Sequence, residues 1–113
     1  MRRGEIWTIS GGGYAGKPQP AVVIQDDRFN ETKSLTVCIF TTTETDAALA
    51  RISVVPSDQN GLREPSHIMV DKITTIPRTR VGRQIGRLEA EALTRLDRAL
   101  LVFLGLAART ISV

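Results

Sequence analysis

The apolar pattern of this chain changes period once, at Leu88, and that change limits what it can fold into. Ahead of Leu88, apolar residues come in short runs bounded by Gly, Pro, Asn and Asp. Beyond it, Leu93, Leu96, Leu100, Phe103 and Leu104 fall in one helical stripe opposite Glu91, Arg95 and Arg98. The spacing predicts strands first and one helix last, over roughly residues 89–105. Glu89 and Glu91 sit in its first turn, at the positive end of the dipole, and Gly105 is a candidate C-cap. Leu101, Val102 and Leu106 widen the apolar face more than one sheet requires, an excess read either as core packing or as a dimer interface.

Five strand-length runs precede the helix. Gly4 to Ile9 alternates, placing Ile6 and Thr8 on one face and Trp7 and Ile9 on the other. Pro20 to Gln25 is a continuous apolar run, as expected of a strand buried on both faces. Leu35–Phe40, Ile52–Val55 and His67–Ile73 complete the set, separated by a polar connection over residues 26–34, an exposed one over 44–50, and a turn at Asn60-Gly61.

The first two strands are joined by Gly11-Gly12-Gly13-Tyr14-Ala15-Gly16-Lys17-Pro18-Gln19-Pro20. Glycine admits left-handed and extended backbone, while Pro18 and Pro20 fix their own φ and hold Lys17 and Gln19 extended at the loop mouth. Either a hairpin connection or a site for an anionic ligand accounts for that pattern. Thr41-Thr42-Thr43, ending the third strand, places hydroxyls at a strand end, which serve either turn chemistry or a cleft.

At 113 residues the chain is long enough for one core, and a single domain over 1–113 is expected. No apolar run spans a bilayer, and Met1-Arg2-Arg3 leads into Gly4-Glu5 rather than a signal-peptide core, so the cytoplasm is the expected compartment. Cys38, the single cysteine, sits in an apolar strand and reads as a buried, inert thiol. His67 has no second His or Cys nearby, so no metal site is expected, and it reads as a structural or surface residue. Phosphate-loop and hydrolase-elbow motifs are absent. The net charge is +3, yet only three of the 15 cations are lysines, and Arg78, Arg80, Arg83 and Arg87 follow one another without an intervening acid. Arginine is the better phosphate fork, so this patch suits nucleic acid or an acidic protein partner.

Taken in order, Arg3-Gly4-Glu5-Ile6-Trp7, Pro20-Ala21-Val22-Val23-Ile24-Gln25-Asp26-Asp27 with Phe29-Asn30, Phe40-Thr41-Thr42-Thr43, Gly61-Leu62, Ser66, Asp71-Lys72-Ile73-Thr74-Thr75-Ile76, Gly86-Arg87-Leu88 and Leu96-Asp97-Arg98-Ala99-Leu100 resemble the MazF/PemK toxins. The likeness spans almost the whole chain. It implies an α+β fold, a small SH3-like antiparallel β-barrel with a C-terminal helix, shared with CcdB. It implies a homodimeric endoribonuclease of a type II toxin-antitoxin system, an mRNA interferase that arrests growth and is restrained by a cognate antitoxin. Cleavage of single-stranded RNA in this family needs no metal or cofactor: the ribose 2′-OH attacks the adjacent phosphate.

In the family pattern, an Arg before the Pro of the Pro-Ala-Val-Val strand and the first Thr or Ser after the next strand carry the chemistry. The second maps onto Thr41, and the first onto Gln19. A neutral donor is about half as strong as a charged one, and losing one oxyanion donor costs about 10²–10³ in rate, so the resemblance implies a weakened enzyme. Either Gln19 is inactivating, or Lys17, Lys72 or Arg80 supplies the charge. Tyr14, Lys17, Asp71 and Lys72 are expected RNA contacts, and Arg28, Arg78 and Arg80 guides for the backbone. A non-catalytic module, a CcdB-like gyrase inhibitor or an inactive antitoxin-binding relative, is the alternative.

Overall fold

The computed structural model describes residues 1–10, 17–43 and 50–107, which form six strands in one antiparallel sheet and one α-helix. The strands are β1 (Glu5–Ile9), β2 (Gln19–Val23), β3 (Ser34–Thr41), β4 (Arg51–Val54), β5 (Ser66–Pro77) and β6 (Val81–Arg87), in the spatial order β4-β5-β3-β2-β1-β6. The helix, α1, is Ala90–Phe103. This is the expected α+β architecture.

β2 behaves as its unbroken apolar run requires. Val22 packs with Ile6, Cys38, Phe40 and Ile68 against Ala92, Leu96 and Leu100 of α1. Ala21 and Val23 point the other way, into a second core with Ile9, Leu35, Val37 and Ile76. The period-2 alternation of β1 holds as well, with Ile6 in the first core and Trp7 and Ile9 on the second. Leu96 is fully buried, so truncating it to Ala would cost roughly 2–5 kcal/mol.

Three elements differ from the sequence expectation. β6 was not anticipated, because Val81–Arg87 has no fully buried residue; it is a Gly- and Arg-bearing edge, held by backbone pairing to β1 with only Val81 and Ile85 packed against the cores. β5 runs to Pro77, four residues beyond Ile73, since Thr74 to Ile76 continue to pair with β3. Phe103 and Leu104 fall in the helical stripe, yet both are about half exposed and neither belongs to either core. Gly105 does act as the terminator, with φ +77° and its N–H donating to Val102 O.

The chain after β4 crosses to β6 and draws the two sheet edges together. Arg87 N–H donates to Gln59 O at 2.8 Å. Asn60, completely buried, accepts from Ser57 N and Leu62 N through Oδ1 and donates through Nδ2 to Val55 O and Glu89 Oε1. The expected turn at Asn60-Gly61 is present, closed by Gly61 N–H on Ser57 O, and it is also the hub of this closing crossing. Glu89, at the N-cap of α1, makes no capping bond with its side chain but receives the Ser57 hydroxyl and Asn60. At the other end, Gly4 N–H donates to Val23 O while Gly4 O accepts from Leu88 N, tying the chain start to the entrance of α1.

Candidate active site

Gln19 opens β2 and Thr41 closes β3. Ala21 pairs with Ile39 at the end of the β2–β3 ladder, so Gln19 and Thr41 lie at the adjoining ends of the two strands. Both line a cleft of about 630 Å³ with Thr42, Thr43, Arg51, Met69, Lys72 and Thr74. Thr41 is half-buried, and its Oγ1 accepts from Thr43 N at 3.2 Å, so the hydroxyl is held by the strand-end turn and is not lost in the core.

An irregularity in β5 shapes the opposite wall. Cys38 pairs with Ile73 and Phe40 with Ile68, so a two-residue step on β3 faces a five-residue step on β5. The surplus falls at Met69 to Lys72, and bulges of this kind re-aim side chains beside functional sites. Here Met69 and Lys72 line the cleft, and Asp71 ion-pairs with Arg51 of the neighbouring strand: Nε to Oδ1 is 3.1 Å, and Nη2 donates to Oδ2 at 3.3 Å. The Arg51 side chain is 13% exposed and that of Asp71 29%, so water screens this pair less than the surface ones. Lys72 is exposed and makes no ion pair among the described residues. Arg51 escaped the sequence reading because it stands alone in the chain; only the β4–β5 pairing, in which it faces Met69, brings it to the cleft.

The other expected site residues scatter. Tyr14 lies outside the described residues, as does most of the 44–50 connection. Lys17 is exposed at the mouth but does not line the cleft. Arg28 follows β2 in a 3₁₀ turn, Asp27–Phe29, and pairs with Asp26. Arg78 donates to Thr32 O and to Met1 Sδ, with its own N–H on Lys33 O, and so staples the start of β3. Both arginines sit at the opposite end of β3 from Thr41, some 20–25 Å along an eight-residue strand. Arg80 borders the loop between β1 and β2, its carbonyl accepting from Ser10 N.

His67 pairs with Thr41 across the sheet, but its Nδ1 meets Ser53 Oγ at 3.2 Å and it does not line the cleft. Cys38 is fully buried beneath β3, and burial pushes its thiol up to about 12. Arg83, together with Arg63, faces a second cleft of about 690 Å³, which shares Pro20 and Thr42 with the first.

Residues 2–104 match the family model described as PemK-like, MazF-like toxin of type II toxin-antitoxin system. The chain belongs to the MazF/PemK toxin family. It is 52% identical over 108 residues to a protein named probable endoribonuclease MazF from Mycolicibacterium smegmatis, covering 95% of this chain and 99% of that one. It is 32% identical to endoribonuclease MazF9 of Mycobacterium tuberculosis over 94% and 98% of the two chains. Among solved structures, Mycobacterium tuberculosis toxin MazF-mt6 superposes with a TM-score of 0.76 at 26% identity, over 89% of this chain and 96% of that one. A mycobacterial endoribonuclease in complex with its cognate antitoxin reaches 0.80 at 22% identity over 94% and 96%, a likeness of fold. The MazF/PemK pattern accounts for the conjunction seen at the cleft: positions 19 and 41, far apart in the chain, meet at adjoining strand ends.

Proposed function

We infer that this chain is a MazF-type endoribonuclease toxin that cuts single-stranded RNA, messenger RNA above all, in the cytoplasm. The observation that carries the reading is the meeting of Gln19 and Thr41 in a cleft whose walls also bear two cations, Arg51 and Lys72. In the reaction the ribose 2′-oxygen attacks the adjacent phosphorus. An O2′–P bond forms, the P–O5′ bond breaks, the 2′-hydroxyl proton goes to solvent and the departing 5′-oxygen takes a proton from solvent. The products are a 2′,3′-cyclic phosphate and a 5′-hydroxyl, and no cofactor enters the balance.

Thr41, fixed by Thr43 N–H, hydrogen-bonds the scissile phosphate and orients it, since an unactivated hydroxyl is a poor base. Gln19 donates a neutral hydrogen bond from the adjoining strand. Lys72 meets the backbone electrostatically, and Tyr14, Lys17 and Asp71 complete the RNA contacts. The cognate antitoxin covers the same cleft. The apolar end of α1, where Leu101, Val102, Phe103, Leu104 and Leu106 are 40–59% exposed, pairs with a second copy in a homodimer.

Gln19 also favours a second reading, a non-catalytic toxin or antitoxin-binding module of the same fold. Purified protein incubated with mixed single-stranded RNA, with mapping of 5′-hydroxyl ends, separates the two. Cleavage that falls about 10²-fold in Thr41→Val supports the enzyme. Growth arrest on expression with no new RNA ends would establish the binding module instead.

A further inference from the structure

We propose that Arg51 supplies the positive charge on the phosphoryl oxygens that position 19 lacks in this chain. The proposal rests on the RNA-cleavage reading above and names the residue that completes that site.

Four observations lead to it. Arg51 lines the cleft that holds Gln19 and Thr41. Its place in the sheet is right: Ser53 pairs with His67 and His67 with Thr41, and Arg51 lies two residues along β4 from Ser53, on the same face. Two strand spacings and two residues separate its backbone from that of Thr41 by about 12 Å, room for one phosphate between the guanidinium and the hydroxyl.

Its geometry is also preset. One hydrogen bond, Nη2 to Asp71 Oδ2 at 3.3 Å, orients the side chain before any ligand arrives, with Nε 3.1 Å from Oδ1 but not hydrogen-bonded to it; Nη1 makes no hydrogen bond among the described residues, so part of the fork is left over for a phosphate oxygen. A donor oriented in advance and partly withdrawn from water is what stabilises developing charge most effectively. The Lys72 side chain, by contrast, is exposed and makes no hydrogen bond or ion pair among the described residues, so it must lose rotamer freedom to act. It does keep the cleft cationic despite Asp71. Asp71 lies two residues along β5 from Met69, the partner of Arg51, so the regular β4–β5 register brings acid and cation together.

The test uses the full chain and a single-stranded RNA of mixed sequence. Affinity is measured separately on an RNA whose 2′-hydroxyls are replaced by hydrogen, which binds without being cut. Arg51→Ala is expected to lower kcat about 10²–10³-fold while affinity for the uncleavable RNA changes less than about threefold. Guanidinium ion at millimolar concentration, or a second substitution Gln19→Arg, is expected to restore at least tenfold of that loss.

Arg51→Ala cutting within threefold of the parent protein overturns the proposal, as does a 10²-fold loss in Lys72→Ala with none in Arg51→Ala. If Arg51→Ala fails to fold, Arg51→Lys decides: a loss of about tenfold in kcat at unchanged KM supports the role, because an ammonium has no planar fork with which to hold Asp71 and meet a phosphate at once, and parental kinetics refute it. A parent protein that binds RNA yet never cuts it sinks the cleavage reading itself, an outcome distinct from all of these.

Discussion

Arg3 Nη2 lies 2.7 Å from Asp97 Oδ1, joining the residue before Gly4 to the middle of α1. The same guanidinium donates through Nε to Ile24 O at 2.8 Å, and Arg3 N–H donates to Asp27 Oδ1 at 2.6 Å. One side chain therefore fastens the chain start, the exit of β2 and the helix. Because the pair is only partly exposed, Arg3→Ala is expected to cost about 2 kcal/mol, a fall in Tm of roughly 6–10 °C by circular dichroism. Asp97→Asn removes only the ionic part and should cost no more than about 1 kcal/mol. Equal losses in the two variants would show that the backbone contacts of Arg3 contribute nothing.

The crossing of the Ser57 to Leu62 segment over β6 leaves no room for a Cβ. One built on Gly61, whose φ is +71°, would lie 2.0 Å from Ile85 O, and one on Gly86 would lie 2.4 Å from Asn60 C. Backbone lines both positions, so neither clash is relieved by a side-chain rotation. Gly61→Ala and Gly86→Ala are each expected to destabilise by about 3 kcal/mol, the sum of overpacking and, at Gly61, left-handed strain. Gly105→Ala is the informative control: φ is also positive, at +77°, but nothing lies within 4 Å, so only the conformational part, about 1 kcal/mol, should appear. Urea midpoints measure all three.

Glu89 gives the fold an acid-sensitive joint. Burial opposes its charged form, but hydrogen bonds from the Ser57 hydroxyl, its own N–H and Asn60 outweigh that and hold the carboxyl below the usual glutamate range. A carboxylate depressed in the folded state contributes stability above its unfolded pKa, near 4.5, and loses it as pH falls through the folded value. The stability gap between the parent protein and Glu89→Gln should accordingly be constant above about pH 6 and shrink below pH 4.5. A gap that widens on acidification would contradict this assignment.

The exposed apolar end of α1 makes the dimer testable. Leu101→Asp with Leu104→Asp is expected to halve the mass seen by light scattering at micromolar protein while leaving far-ultraviolet circular dichroism unchanged, since both side chains are about half exposed in the single chain. Parental mass in this variant would place the interface elsewhere.

Sequence reading reached the fold wherever burial imposes a period. β2, β3 and α1 could be found because their apolar residues face cores, whereas Thr41 and position 19 were singled out as a pair only through the MazF/PemK resemblance. β6 offers only Val81 and Ile85, partly buried against different cores, so no apolar period marks Val81–Arg87 as a strand. Arg51 was hidden for a related reason: its partner Asp71 is 20 residues away, and their meeting depends on the β4–β5 pairing, which no local pattern encodes. Arg78 shows the opposite error, for a cation in a basic run reads as a ligand for phosphate until its donors are found on Thr32 O and Met1 Sδ.

Cys38 lies sealed under β3, its thiol pushed up to about 12, and it is the one cysteine of the chain. Thiolates, not thiols, attack maleimide dyes, so the natural protein should stay dark toward maleimides at neutral pH. Any cysteine introduced on the surface then becomes a unique attachment point without first deleting the native one. Placed at Lys17, beside the mouth of the cleft, such a label offers a fluorescent view of an RNA strand or an antitoxin arriving, in a molecule whose interior has not been touched.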